Sequence, residues 1–543
     1  MLSIKPLFFT VLLSFTPQVA SATDPKIPVT SQTLEQPKKV ARIVVISHPI
    51  FDESAPNAFF LHHWANYLHI NTKESTILDL LSFGAHDEID QDDLEEAQRL
   101  LRAEPFLRDA KISFAHQDPN ADIKEDGEVV IVETWDNWSL LPTMSVGRSG
   151  GESKFSAGIK EDNLLGLGIK TRIKYSSDDD RTGYKFAVKA PLKWIKHATL
   201  GFSFYDNSDG QSSQMRFVKP FYTLNGEHMY QSSFAHTKQV DTLRQNGRDV
   251  NEFHHDIEYL NFAYGWRLHH DKQVTKRIMV GATQDHHSFR HTGEFTQEPL
   301  PQDREFTYPW VSYQHIEDDY HVLTNVNLIN YNEDFNLGWQ YQIKVGVETK
   351  DRHDDLGYHL NFDVTKGYKF ANQLALLSFD AKATLGTTQA DFYQANLQAE
   401  YFYKINPRWT AYAKTRVSSS QNNYLDRPFT LGDETGVRGY PNDYQYGDQQ
   451  WLVTAEVRNY PNINLYQLAE LGWAAFIDIG HAYGCADAGN EESGVLGSIG
   501  IGARLYSSRS SYGNVAHIDL TLPFTSGEEV NDWEWRFVVK RKF

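Results

Sequence analysis

The chain has 543 residues, a net charge of −19, 40% hydrophobic and 13% aromatic residues, and a single cysteine, Cys485. That charge excludes a nucleic-acid partner, which needs a basic surface, and one cysteine excludes an intrachain disulfide framework. Mean hydropathy is −0.52 and no apolar run after residue 22 could cross a bilayer as a helix, which leaves a secreted polar protein or a membrane β-barrel.

Residues 1–22 read as a secretory signal peptide: Lys5 precedes the apolar run from Leu7 to Leu13 and Phe15, and Ala20-Ser21-Ala22 supplies small residues for cleavage. The mature chain is expected to start near Thr23. A leader over 23–39, broken by Pro25, Pro28 and Pro37, then leads to an α+β module over 40–136. Its expected order begins with a strand at Ala41 to Ile46 and helices at Asn57 to Leu68 and from Thr72, the latter capped by Thr72. A third helix is capped by Asp90 or Asp92 and carries the stripe Leu94, Ala97, Leu100 and Leu101 before Pro105. Strands at Lys111 to Phe114 and Glu128 to Glu133 close the module. Glu95 and Glu96 read as the outer face of the third helix.

From 137 to 543 the period changes to two. Tyr184, Phe186, Val188 and Ala190 share one face while Lys185 and Lys189 share the other, and Tyr341, Ile343, Val345 and Val347 alternate with Gln342, Lys344 and Glu348. Leu200 to Tyr205, Trp409 to Arg416, Trp451 to Val457, Leu471 to Ile479 and Val515 to Leu522 are further strand candidates. At roughly 25 residues for each strand with its share of loop, this length predicts a closed antiparallel transmembrane barrel of about sixteen strands, closed because unpaired edges are intolerable in lipid. The last segment fits: Trp533, Trp535, Phe537 and Val539 share a face, and the sequence ends at Phe543.

The segment from Ser418 to Gln450 is too long for a hairpin turn and rich in Arg, Tyr, Asp and Gly, the composition of a functional loop. Within it Gly436-Val437-Arg438-Gly439-Tyr440 sets an obligate cation between two glycines. Such an arginine gains from a carboxylate that offers paired oxygens. Asp478, between Phe476 and Gly480, is one candidate; Glu456 is the other, on the parity opposite to Val453 and Val457 and hence facing the lumen. A buried pair of this kind can also hold register alone.

Other constellations carry less. Gly147-Arg148-Ser149-Gly150-Gly151 matches a nucleophile-elbow pattern but has no helix after it and reads as a barrel turn. His254-His255, His269-His270 and His286-His287 read as loop or interfacial histidines, because neighbours on a strand point to opposite faces. Asp178-Asp179-Asp180 reads as a solvated loop. No nucleophile, base and orienting acid come together, so no catalytic residue, metal or cofactor is expected.

Four segments together resemble a known group. Ile89-Asp90 leading into Leu94-Glu95-Glu96-Ala97-Gln98-Arg99-Leu100-Leu101 and Pro105-Phe106-Leu107-Arg108-Asp109-Ala110 resembles a single POTRA domain. Glu161-Asp162-Asn163-Leu164-Leu165-Gly166-Leu167-Gly168, Val437-Arg438-Gly439-Tyr440 and Phe476-Ile477-Asp478-Ile479-Gly480 are similar to barrel segments of the BamA-like and TamA-like outer-membrane assembly factors, the surface-antigen type. The resemblance implies a barrel in the bacterial outer membrane with its POTRA domain in the periplasm. It implies a loop folded inward, with Arg438 meeting Asp478 and Glu456, and a function in insertion or translocation of other proteins rather than in catalysis. The POTRA domain would take up polypeptide by strand addition, and a lateral seam between the first strand (Leu141, Gly147) and the last (Trp535, Phe537, Phe543) would open. Expected partners are outer-membrane lipids and lipopolysaccharide, unfolded or secreted client polypeptides, and a periplasmic accessory protein, with no nucleic acid. The alternatives are a two-partner-type secretion transporter, which shares the loop motif but usually carries a plugging helix that 23–39 is too short to form, and a passive channel. An insertion over 52–70 enlarges the POTRA-like module.

Overall fold

The computed structural model describes residues 37–51, 60–115, 127–293, 295–348, 356–466, 468–484, 489–511 and 513–540. The expected signal peptide, most of the leader, the start of the 52–70 insertion, Cys485 and Phe543 lie outside the described residues.

The apolar run after Val40 forms β1 (Lys38–His48), an inner strand of a small sheet, followed by α1 (Phe60–Leu68) and by α2 (Glu74–Leu80), whose Ile77 packs in the sheet's core. Then come β2 (Glu88–Ile89), α3 (Gln91–Arg102), β3 (Leu107–Phe114) and β4 (Glu128–Asp136), in spatial order β2-β1-β4-β3 with β1 parallel to β4. Asp90 caps α3 in a capping box with Asp93, and Leu94, Ala97 and Leu101 pack with Ile77, Leu81, Phe106, Val130 and Val132 in one core. Thr72 does not cap α2. Lys73 holds that position without a side-chain bond, while Thr72 donates its amide and hydroxyl to Asp136 at 2.8 and 2.9 Å. Glu96 also departs from the sequence reading: it accepts the Leu224 amide at 2.8 Å, from a barrel turn, instead of facing solvent.

The barrel begins with β5 (Leu140–Ser149), β6 (Glu152–Leu164), β7 (Ile169–Ser177), β8 (Thr182–Pro191), β9 (Thr199–Asn207) and β10 (Gly210–Lys219). It continues through β11 (His228–Gln245), β12 (Arg248–His270), β13 (Val274–His291) and β14 (Arg304–Glu317), then leaves the wall for the hairpin of β15 (Tyr320–Thr324) and β16 (Asn332–Asn336). The wall resumes with β17 (Gln340–Glu348), β18 (Gly357–Phe370), β19 (Gln373–Leu385), β20 (Phe392–Asn406) and β21 (Trp409–Gln421). The short pair β22 (Phe429–Leu431) and β23 (Gln445–Gly447) lies in the long loop, and β24 (Gln449–Leu465), β25 (Ala469–Tyr483), β26 (Leu496–Tyr506), β27 (Val515–Pro523) and β28 (Glu534–Lys540) complete the circuit.

The closed antiparallel barrel therefore has 20 strands, not about sixteen. The allotment of residues per strand was too generous because several hairpins close on two residues: β9 gives way to β10 after Ser208 and Asp209, and β18 to β19 after Ala371 and Asn372. Polarity is inverted relative to a soluble core. On β27, His517, Asp519 and Thr521 are buried inside while Ile518, Leu520 and Leu522 are exposed outside, the pattern of a wall set in lipid. The α+β region caps one end of the barrel, the near end. The longest loop, 422–448, closes the other, the far end.

Candidate functional site

Strand parity builds the centre of the site. On β24, Thr454, Glu456, Arg458 and Tyr460 are buried in the lumen, and β25 turns Ala474, Phe476 and Asp478 the same way. Register sets Thr454 opposite Asp478 and Glu456 opposite Phe476. The loop 422–448 folds back onto this face through a small apolar cluster of Leu431, Val437, Tyr440, Tyr444 and the wall residues Leu452, Ala482 and Leu496.

Arg438 comes down at its centre. Its Nε donates to Asp478 Oδ2 at 2.6 Å and its Nη2 to Asp478 Oδ1 at 2.9 Å; Nη2 also reaches Glu456 Oε1 at 3.0 Å, and the guanidinium lies 3.4 Å from the Phe476 ring centroid. The donor fork and the ring face are both used, a set of contacts a lysine cannot reproduce. Thr454 Oγ1 donates to Asp478 Oδ1 at 2.8 Å, and Arg458 Nε to Glu456 Oε2 at 2.8 Å, so both carboxylates are further satisfied. The flanking glycines are required by space and backbone. Gly436 has φ 138° and a Cβ there would lie 2.2 Å from Leu452; Gly439 has φ 91° and its Cβ would lie 2.7 Å from Thr521. Tyr440 OH donates to the Gly497 carbonyl at 2.9 Å.

Two connections were not read from the sequence. First, Asp433 of the same loop joins both sides of the junction between β5 and β28. It accepts from Ser149 Oγ on β5 and from Arg536 Nε on β28, the latter at 2.6 Å, and holds the Gly439 amide at 2.9 Å. Asn442 adds a bond to the Ser149 carbonyl at 3.3 Å. The junction itself is thin: among the described residues β28 and β5 share one register pair, Phe537 opposite Arg148, plus an ion pair of Arg148 with Glu534 at 2.7 Å. Gly147 lies against the Phe537 carbonyl, 3.3 Å from where its Cβ would stand. Trp535 pairs with Leu520 on β27 and its ring is 6.0 Å from the Arg148 guanidinium. Leu141 is not brought to Phe537; it pairs with Lys160 on β6, nearer the α+β region.

Second, the β15–β16 hairpin enters the lumen from the near end. Ile329 is packed among Tyr460, Ala474, Tyr506 and Val515, and Leu323, Val326 and Leu337 pack on Leu374, Phe402 and Tyr412. Glu333 shapes its tip by accepting the amides of Val326, Asn327 and Leu328. Arg458 donates to the Val326 carbonyl at 3.4 Å, so hairpin and loop meet on neighbouring side chains of β24, Arg458 and Glu456.

The near end also carries the α+β region. Arg102 pairs bidentately with Asp334 at 3.0 and 2.6 Å, Lys170 with Glu104 at 2.9 Å, and Thr76 Oγ1 donates to the Gly166 carbonyl at 2.7 Å. His197, on the β8–β9 turn, stacks on Tyr222 and donates from Nε2 to the Leu81 carbonyl at 3.2 Å. Burial lowers its pKa from 6.5 to about 4, with Lys196 adding to the effect.

The remaining candidates fall as follows. Gly150 and Gly151 form the β5–β6 turn with φ 59° and 82°. Asp180 pairs with Arg244. The six paired histidines are not loop residues: all lie within β12 and β13, and His255 and His287 are buried and face inward. Their signal was present, since one histidine of each pair must point into the lumen.

Residues 325–505 match the family described as haemolysin secretion/activation protein ShlB/FhaC/HecB. No curated protein matches the chain. Among solved structures, BamA from Haemophilus ducreyi lacking POTRA domains 1-3 aligns at 12% identity and TM-score 0.43, over 92% of this chain and 84% of that one. CdiB from Acinetobacter baumannii aligns at 14% identity and TM-score 0.47, over 93% and 74%, and CdiB from Escherichia coli at 10% and 0.40, over 95% and 92%. None of these reaches a TM-score of 0.5, and the weight lies on the matched segment, which contains the loop motif and both of its acidic partners. The chain is a closed antiparallel β-barrel protein, similar over residues 325–505 to that haemolysin secretion/activation family.

Proposed function

We propose that this barrel is BamA/TamA-like and moves polypeptide across the bacterial outer membrane as a two-partner-type secretion transporter, with its α+β region acting as a periplasmic POTRA domain. One observation carries the reading: a single loop holds the lumen wall through Arg438 and both sides of the β5–β28 junction through Asp433. Movement of that one segment would unblock the lumen and loosen the wall together. The match to a family described as haemolysin secretion/activation supports export of a secreted polypeptide. Loop and hairpin both fill the lumen, which speaks against a permanently open passive channel.

The client would reach the barrel by strand addition at β3, the sheet's outer strand. That edge is partly covered: Ile112 N donates to Gln98 Oε1 at 3.0 Å, and Tyr331 OH to the Arg108 carbonyl at 3.1 Å. A client must displace Gln98 and Tyr331, and Tyr331 belongs to the turn that plugs the lumen. Arrival of polypeptide would thus loosen the near-end stopper. Lipid and lipopolysaccharide surround the exposed apolar outer face.

The single register pair between β5 and β28 favours a second reading, insertion of client strands through that seam. The test compares the culture medium and outer-membrane proteins of a deletion strain complemented by wild type or by the Arg148→Cys/Phe537→Cys disulfide variant. Secretion through the lumen expects a polypeptide lost from the medium on deletion and restored by both. Insertion through the seam expects outer-membrane barrels lost on deletion and restored by wild type alone. No change in either compartment overturns both readings.

A further inference from the structure

On the wall eight strands round from β24, a second inward cluster joins the same loop. His255 on β12 and His287 on β13 are diagonal neighbours, since register sets Ile257 opposite His287, and they are 5% and 4% exposed. His255 Nε2 and His287 Nδ1 face each other at 2.8 Å. The outer nitrogens are held by carboxylates: His255 Nδ1 by Asp241 Oδ2 at 2.6 Å and His287 Nε2 by Asp285 Oδ1 at 3.1 Å. A carboxylate only accepts, so each ring gives its proton outward and turns a lone pair toward the other. Arg427 Nη2 stands 3.4 Å from His287 Nε2, longer than the Asp285 contact, and 3.7 Å separates Arg427 Nε from Asp426.

Two lone pairs at that distance repel unless an electron-poor centre lies between them. Asp426 of the 422–448 loop supplies a third donor: one of its carboxylate oxygens and one ring nitrogen of each histidine all lie within 4.8 Å of one another. The Asp426 side chain is buried and oriented by Arg304, Nη1 and Nη2 each at 2.8 Å from one oxygen. Three carboxylates against two guanidiniums leave the cluster net negative. Two imidazoles, each backed by a carboxylate, and one carboxylate form a donor set suited to a divalent transition metal, with one position left for water.

We propose that His255, His287 and Asp426 bind a divalent transition-metal ion of the zinc class, which fastens the inward loop to β12 and β13. Nitrogen ligands about 2.0–2.1 Å from a tetrahedral ion stand roughly 3.3 Å apart, so the rings part by about half an ångström and Asp426 moves inward. The loop then spans the barrel with an anchor on each wall, the ion at one side and Arg438 at the other.

The test uses the full chain in detergent, stripped with EDTA and titrated with zinc alone at pH 8. Wild type and the His269→Ala/His270→Ala control should take up about one tight equivalent, and His255→Ala/His287→Ala should bind at least about 100-fold more weakly. Asp241→Asn, which keeps all three ligands, should bind about 10- to 100-fold more weakly. Zinc should also slow chymotrypsin cleavage after Tyr424, two residues before Asp426, in wild type and not in the double variant. A heat-modifiable gel shift verifies that each barrel is folded, and the Asp241→Asn comparison decides if the double variant is not. Equal uptake by wild type and the ligand variants, or no tight uptake by wild type, overturns the proposal; the latter result leaves a shared proton between the rings.

Discussion

Asp433 and Arg536 meet at 2.6 Å, each fully buried, and join the inward loop to the last strand of the barrel. Their contact stands where the wall is thinnest, so one loop residue supplies to the β5–β28 junction what the ladder there does not.

Removing the carboxylate strands the Arg536 charge, which among the described residues keeps a 3.4 Å ion pair with Asp519. Asp433→Ala is expected to cost about 3–5 kcal/mol, the usual penalty for an uncompensated buried charge. The unfolding temperature in a heat-modifiable gel shift should fall, and Arg148→Cys/Phe537→Cys should cross-link less completely in the Asp433→Ala background.

Arg438→Ala leaves Asp478 without its bidentate partner, while Glu456 retains Arg458. A loss of about 3–5 kcal/mol should appear chiefly as release of the loop. Protease added to intact cells should then cut within 422–448. Arg438→Lys should recover less than half of the protection, because an ammonium cannot reach both oxygens of Asp478 and lie flat on Phe476.

Gly436→Ala combines a positive φ with a clash against Leu452, and more than about 1 kcal/mol of destabilisation is expected. Gly151→Ala also has a positive φ, but nothing lies within 4 Å of its added Cβ. The strain at Gly151 is conformational alone, so the difference between the two variants in unfolding temperature isolates the packing of the loop.

Docking of the α+β region should weaken in acid. The buried, neutral form of His197 is favoured, with a pKa of about 4 in place of 6.5. Between those values the released state binds more protons than the docked one, so docking is strongest above pH 6.5 and is lost progressively as pH falls toward 4. Cross-linking of Arg102→Cys to Asp334→Cys, measured at pH 7.5 and pH 5, should decline, and His197→Gln should flatten that dependence.

Strand parity is a local property, and the inward facing of Glu456 and Asp478 follows from the residues beside them. The partner of Asp433 lies 103 residues later, and nothing local in either segment announces the other. The β15–β16 hairpin has the same alternation as a wall strand; only pairing shows that it leaves the wall. Reading the histidines as adjacent pairs hid the cross-strand relation of His255 and His287, which depends on register. Strand number depends on turn length, and the two-residue turns at Ser208–Asp209 and Ala371–Asn372 carry too little sequence to be counted beforehand.

The hairpin that fills the near end is joined covalently to β14 and β17, which are themselves paired neighbours. It cannot diffuse away as a terminal segment could. Any opening there must be a hinged swing about two fixed roots, with a stroke bounded by the hairpin's own length, and closure afterwards is a return along a tether instead of a search.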